Sequence, residues 1–247
     1  MIKPTLYIFT ISHYCEKARW ALDYLAIAHN VVHLGAGMHM QTSQELGLET
    51  SSLPILKTDK QVIQGASEII DWAEKNTTNG KTLTPANCEQ HCRKLEQQFD
   101  DILGIHTRRF FYSEALIEHS DSVKKIFSSH LPSEQKKAMS DIWEFVAELM
   151  IKKMDLGKRQ GDESKAIVET ELEHLEDLLS DGRDYLACDQ LTRADIAAAS
   201  FFSFMVNPTQ HPEFDLVPLP PRVSEFQQQW INRPAMTWIK ALYQQHR

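Results

Sequence analysis

Leu6-Tyr7-Ile8-Phe9-Thr10-Ile11-Ser12-His13-Tyr14-Cys15-Glu16-Lys17-Ala18-Arg19 lies near the start of a chain of 247 residues. Its opening run is β-branched, aromatic or aliphatic without clean alternation, the pattern of a strand covered on both faces. Ala18, Ala21, Leu22 and Leu25 then recur at i, i+3, i+4 and i+7, so the spacing predicts an amphipathic helix over 16–28. A short strand over 31–34 follows. Strand, helix and strand in that order need a crossover, so the two strands run parallel. Outward from there, 35–52 is polar and reads as a loop. Leu53-Pro54-Ile55-Leu56 and Gln61-Val62-Ile63 flank a polar turn and read as a hairpin. Ser67 is a candidate N-cap for a helix through Lys75, and Asn76-Thr77-Thr78-Asn79-Gly80 closes it. Residues 1–78 therefore read as β-α-β followed by β-β-α.

After Pro85 strand signals disappear. Cys92, Leu95, Phe99, Ile102 and His106 advance in steps of three and four, as do Met139, Trp143, Val146 and Met150, and Val168, Leu172, Leu175 and Leu179. These are helices with one buried stripe each, packed as a bundle. Residues 155–164 carry charges and glycines without periodicity and read as a loop, and residues 104–156 as a whole match no interpretable pattern. The fold class is thus an α/β domain over 1–78 followed by an all-α domain over 87–247.

Composition narrows the function. Hydrophobic residues at 42% and charged residues at 24% are ordinary for a globular chain and exclude a disordered one. Lys and Arg number 26 against 34 Asp and Glu, a formal net charge of −8, and the basic pairs are scattered among acids. A partner that offers phosphates is disfavoured, so no nucleic acid is expected. Neither the run ending at Ile11 nor the one from Ile196 to Val206 is long enough to span a bilayer, so no membrane partner is expected. The 4 cysteines do not make a disulfide framework, and a cytoplasmic location is expected.

The chemistry gathers at the strand-to-helix turn. Backbone N–H groups at a helix start favour anions, and a Ser-x-x-Cys turn there, Ser12 to Cys15, suits sulfur chemistry. The plainer alternative is that Ser12 only caps the helix. Pro54 opens a strand, where an X-Pro bond can be cis and turn the Leu53 main chain outward toward an extended ligand. Cys88 and Cys92 stand at i, i+4, but no second Cys/His pair completes a metal set, so no metal is expected. Thr192-Arg193-Ala194-Asp195 reads as a capping box. Tyr7 sits within its strand and reads as packing.

The combination of Ser12 to Arg19, Ser52-Leu53-Pro54-Ile55-Leu56, and Gln64-Gly65-Ala66-Ser67-Glu68-Ile69-Ile70 resembles the thioredoxin-like domain of cytosolic glutathione transferases. Tyr185 to Ile196 and Arg233-Pro234-Ala235 resemble segments of that family's helical domain, so the likeness covers nearly the whole chain. The resemblance implies that Ser12 holds the catalytic position of serine- and cysteine-type members. Cys15 would match the second, non-catalytic position of the thiol-oxidoreductase turn. Leu53 would pair with the cysteinyl part of glutathione beside a cis Pro54, and Ser67 would hold the γ-glutamyl carboxylate. An acid usually precedes that serine. Here Ala66 stands there and Glu68 follows, a candidate substitute. Ser52 replaces a frequent lysine, and Cys188 stands where glycine, suited to positive φ, is common. His106, Arg109, Phe110 and Tyr112 fall on the helix that lines the family's electrophile pocket.

The expectation is a glutathione-dependent transferase with glutathione as co-substrate, a small hydrophobic electrophile as partner, and Ser12 stabilising the thiolate. The alternatives are a thiol oxidoreductase using Cys15, or a non-catalytic binding protein on the same fold. The resemblance also implies a homodimer, with the first domain of one subunit against the helical domain of the other.

Overall fold

A computed structural model describes residues 3–213 and 219–247. Strand β1 (Thr5–Ile8) pairs in parallel with β2 (Asn30–His33), Leu6 opposite Val31. On its other side β1 runs antiparallel to β3 (Ile55–Lys57), which closes a hairpin with β4 (Val62–Gln64). The order β2-β1-β3-β4 makes β1 interior, and Leu6 and Ile8 are buried as its unalternating sequence requires.

Helix α1 (His13–Tyr24) begins three residues before the expected start at 16, because Ser12 caps it by accepting from the Cys15 N–H at 3.4 Å. It ends short of Ala28, where Ala26 turns into the left-handed region at φ 55°. Helix α2 (Met38–Glu45) occupies part of the segment that reads as a loop. Ser43 is its one fully buried residue, so no apolar stripe marks it. Helix α3 (Ala66–Asn76) is capped by Gly65 at φ 107°, not by Ser67, whose hydroxyl is drawn elsewhere. The Leu53–Pro54 bond is cis.

The helical domain begins with α4 (Glu89–Gln98), a π-helical turn (Phe99–Leu103) and α5 (Gly104–Glu118). Helices α6 (Ser120–Ser128), α7 (Ser133–Asp141) and α8 (Trp143–Lys153) follow, then α9 (Lys158–Leu178), which packs along α5. The start of α9 corrects the loop reading of 155–164. Its first turns are held by solvated i,i+4 pairs, Lys158–Asp162 and Arg159–Glu163, rather than by an apolar stripe. Helices α10 (Arg193–Phe201), α11 (Ser203–Val206), α12 (Pro221–Trp230) and α13 (Pro234–His246) complete the bundle. No helix among the described residues is long and apolar enough to cross a membrane.

Helix α10 is buried over its whole length, which obliges its N-terminus to be satisfied by protein. Asp195 does this by accepting from the N–H groups of Thr192 and Leu186, both at 2.7 Å, and the capping box forms as the motif predicts. Burial raises the Asp195 carboxyl to about 6, against the pull of those hydrogen bonds.

Contacts made by the last two residues of the chain help seat the domains on each other. Trp20 Nε1 donates to His246 O at 2.9 Å, and Arg247 pairs with Glu16 and Asp23, each at 2.7 Å. Deeper in, Lys17 is fully buried between Glu96 (2.7 Å) and Asp100 (2.6 Å), and Arg193 joins Glu96 to Asp71. Sequence-distant charges buried this way must be paired to exist at all.

Cys88, at the start of α4, is disulfide-bonded to Cys188 in the loop before α10, with Cα atoms 6.2 Å apart. One disulfide is present beside two free thiols, Cys15 and Cys92, and Cys88 is removed from any metal role. Cys188 is not in the left-handed region, so its Cβ meets no backbone penalty.

Candidate functional site

A cavity of about 1050 Å³ lies between the β1–α1 turn, α2, the segment leading to Leu53, and helices α5 and α8. Phe9, Phe111, Tyr112, Phe127 and Phe204 supply apolar wall, and Phe145, 68% exposed, stands at the rim. Ser12 and Leu53 line the same cavity, which brings together the turn and the residue before the cis proline.

The turn is held by the helical domain. His13 Nε2 donates to Gly104 O at 3.0 Å and the Tyr14 hydroxyl to Asp100 O at 2.6 Å, both carbonyls belonging to the π-helical turn or its exit. A Cβ on Gly104 would collide with the Tyr14 hydroxyl, so glycine there is what lets the turn seat. Burial, and then the nearby Arg108 charge, push His13 down to about 3. It is therefore a neutral imidazole whose Nε2 carries the hydrogen.

Ser12 and Cys15 have opposite environments. Ser12 Oγ accepts from the Cys15 N–H and lines the cavity. Cys15 is 1% exposed, and burial pushes its thiol up to about 12 against the hydrogen bond from Ser12. Desolvation outweighs the helix N-terminus here, which opposes the redox role the motif offered for Cys15.

Ser67 lies outside the cavity lining and inside the buried charge network. Its Oγ accepts from Lys17 Nζ at 3.0 Å and stands 3.0 Å from Glu96 Oε1 and 2.9 Å from Asp100 Oδ2. One hydroxyl hydrogen serves only one of those carboxylates at a time. The Ser67 N–H, in the first turn of α3, has no helical acceptor. Glu68 is exposed and folds back over Gly65, beside the Ala66 that replaces the usual acid. Burial raises the Asp100 carboxyl, whereas Lys17 and Arg193 overcome burial and hold Glu96 below its ordinary value.

Of the residues expected on the pocket helix, Tyr112 alone lines the cavity. Phe110 packs into the bundle against Phe226, His106 contacts Ser164, and Arg109 pairs with Asp155. Sequence reading passed over Thr107, Arg108 and Phe111, which do face it. Helix α5 is apolar on both sides, one toward the bundle and one toward the cavity, so its sequence has no single stripe from which to set the phase. The one available signal is Arg108 itself, a cation three and four residues before Phe111 and Tyr112.

His33, His130 and Glu213 bring ligand-type atoms within 4.8 Å of one another at the edge of the cavity. Arg19 already pairs with Glu213 at 2.9 Å, so a dication would compete with a fixed positive charge.

Comparison with known proteins agrees with this geometry. Residues 6–80 match the family model for the glutathione S-transferase N-terminal domain, and residues 160–226 match that for its C-terminal domain. No curated protein matches the chain. Among solved structures, glutathione transferase GSTFuA3 from Phanerochaete chrysosporium is 14% identical with a TM-score of 0.65, covering 100% of this chain and 98% of its own. Beta-etherase LigF from Sphingobium sp. strain SYK-6 is 17% identical with a TM-score of 0.62, over 96% and 98% of the two chains. A glutathione S-transferase from Methylobacillus flagellatus KT with GSH bound is 14% identical with a TM-score of 0.54, over 96% and 98%. With both domain models matched in order and the fold shared end to end, the chain belongs to the cytosolic glutathione S-transferase family.

Proposed function

We propose that the protein is a glutathione-dependent transferase that joins the sulfur of glutathione to a hydrophobic electrophile, with Ser12 stabilising the thiolate. The observation that carries this reading is the Ser12 hydroxyl. It stands at the start of α1, on the edge of a large apolar cavity, where the helix N-terminus also points. A thiol of pKa ~8.5 is about 3% ionised at pH 7, and lowering it by about two units makes it roughly three-quarters ionised. That shift corresponds to about 2.7 kcal/mol, within reach of one charge-assisted hydrogen bond and a helix N-terminus. The sulfur lone pair then forms the new bond to carbon while the leaving group departs with its electrons, or while the adduct takes a proton from solvent.

Glutathione itself would lie with its cysteinyl main chain on Leu53, beside Pro54, and its γ-glutamyl carboxylate on the Ser67 N–H. Glu68 is the candidate for the amine contact that Ala66 cannot make. The buried Cys15 thiol disfavours the oxidoreductase alternative, which needs an accessible thiolate. Ala66 and Ser52 favour the other alternative, a binding protein with weak or no glutathione affinity.

Calorimetric titration with glutathione, followed by conjugation of an aryl halide, tests the reading. Saturable binding with turnover supports it. Binding without turnover of any electrophile, or no binding, leaves the binding-protein alternative in its place.

A further inference from the structure

The cavity holds one feature that conjugation of a neutral hydrophobe does not use. Arg108, on α5, lines the cavity, its Nε is buried, and that atom has no hydrogen-bond partner. Among the described residues no carboxylate pairs with this guanidinium, although every other described arginine has an acidic partner. Arg109, the next residue, has Asp155, and Arg193, Arg222, Arg233 and Arg247 are each matched to a carboxylate. The Thr107 hydroxyl beside it is 3% exposed, lines the same cavity and is also without a partner, as is Ser43 Oγ across on α2.

An unpaired cation and unpaired hydroxyls are costly among aromatic side chains unless something else supplies the counter-charge. Here the surroundings are apolar: Phe111 and Tyr112 follow on the same face of α5, and Tyr112 stacks on Phe127 at 12° between planes with centroids 6.4 Å apart. Two classes of ligand group are thereby specified, a flat apolar body and an oxyanion. The planar fork of a guanidinium matches a carboxylate in bidentate geometry.

We propose that Arg108 and Thr107 form an anion subsite of the electrophile cavity, so that the second substrate is an aromatic or long apolar molecule carrying a carboxylate. Its place in a reaction rests on the transferase reading above, but the binding itself can be measured without glutathione. The guanidinium acts as a specificity-determining group that fixes the orientation of the apolar body in a cavity otherwise able to accept it in many poses. The nearby His13 is neutral and cannot serve as the cation in its place.

The test uses a matched pair of probes, naphthalene-2-acetate and its uncharged amide, titrated calorimetrically into the full chain. In the parent protein the carboxylate should bind at least about tenfold tighter than the amide. Arg108→Met should bring that ratio to within about threefold while leaving the amide's affinity unchanged, and Arg108→Lys should retain part of the preference. The amide arm serves as the control for a variant that merely unfolds the cavity.

Equal affinity of the two probes in the parent, a preference that survives Arg108→Met, or no binding of either probe at millimolar concentration would overturn the proposal. So would competition between the carboxylate probe and glutathione, which would assign Arg108 to a carboxylate of the tripeptide. A rise in the apparent pKa of bound glutathione in Arg108→Met would overturn it as well, by assigning the guanidinium to the thiolate. If glutathione fails to bind but the carboxylate preference is present and lost in Arg108→Met, the anion subsite stands and the transferase reading falls.

Discussion

Replacing Lys17 by Met should destabilise the protein by about 3 kcal/mol at neutral pH, and by less in mild acid. Met keeps the length and most of the volume of the side chain, so the change isolates the ammonium. In the parent that ammonium is fully buried, 2.7 Å from Glu96 and 2.6 Å from Asp100, and it also donates to Ser67. Removing one member of a buried ion pair costs about 3–5 kcal/mol, because the other charge is left unmatched. The lower end applies here. Glu96 keeps Arg193, and Asp100 retains 21% side-chain exposure through which water can reach it. For a chain of this size about 3 kcal/mol corresponds to a fall in Tm of roughly 6–12 °C.

The pH dependence separates the electrostatic cause from mere repacking. Burial raises the Asp100 carboxyl above its ordinary value, and Lys17 is the main influence pulling it down. Without Lys17 it rises further, so the folded state binds a proton that the unfolded chain releases. An acid whose folded pKa is raised destabilises the native state above that pKa, and stability is recovered as pH falls through it. Urea unfolding of parent and variant, followed by tryptophan fluorescence at about pH 8 and about pH 5, should show the larger deficit at the higher pH. A deficit equal at both pH values, or smaller than about 1 kcal/mol, would refute the placement of Lys17 as the counter-charge.

Ser12→Ala should lower kcat/KM for conjugation by roughly ten- to a thousandfold and raise the apparent pKa of bound glutathione, read from thiolate absorbance, since one hydrogen bond to a full or developing charge is lost. Cys15→Ala should change the same kcat/KM by less than about threefold, because a buried thiol pushed up to about 12 acts as a small apolar group; loss of activity there with Ser12→Ala left active would move the protein to the oxidoreductase reading. Asp195→Ala leaves the N–H groups of Leu186 and Thr192 buried without acceptors, at about 1–3 kcal/mol each, and should lower Tm with the m-value unchanged. Light scattering at micromolar concentration should give a dimer mass, and a monomer mass would refute the subunit arrangement implied by the family.

Much of the first domain was legible in the sequence because its elements are set by local patterns. The unalternating run at Leu6, the spacing of Ala18 to Leu25 and the paired runs around 57–60 each specify one element, and the crossover rule orients them. The capping box at Thr192 was readable for the same reason, since all its atoms lie within one helical turn. What only the tertiary structure decided was which side of a residue faces water, protein or cavity. Helix α2 and the start of α9 were missed because neither carries an apolar stripe; each is held by position and by solvated pairs. Ser67 looked like a cap until Lys17, Glu96 and Asp100, brought from elsewhere in the chain, took its hydroxyl. The thiol of Cys15 sits at a helix N-terminus that sequence alone says should lower its pKa, yet the core packed over it raises it. Arg108 is the same case in reverse: composition places a cation on a helix, and only the folded chain leaves it lining a largely apolar cavity with its Nε unpartnered. Motifs specify local backbone, whereas charge state and direction are properties of the surroundings, and those are assembled from residues far apart in the chain.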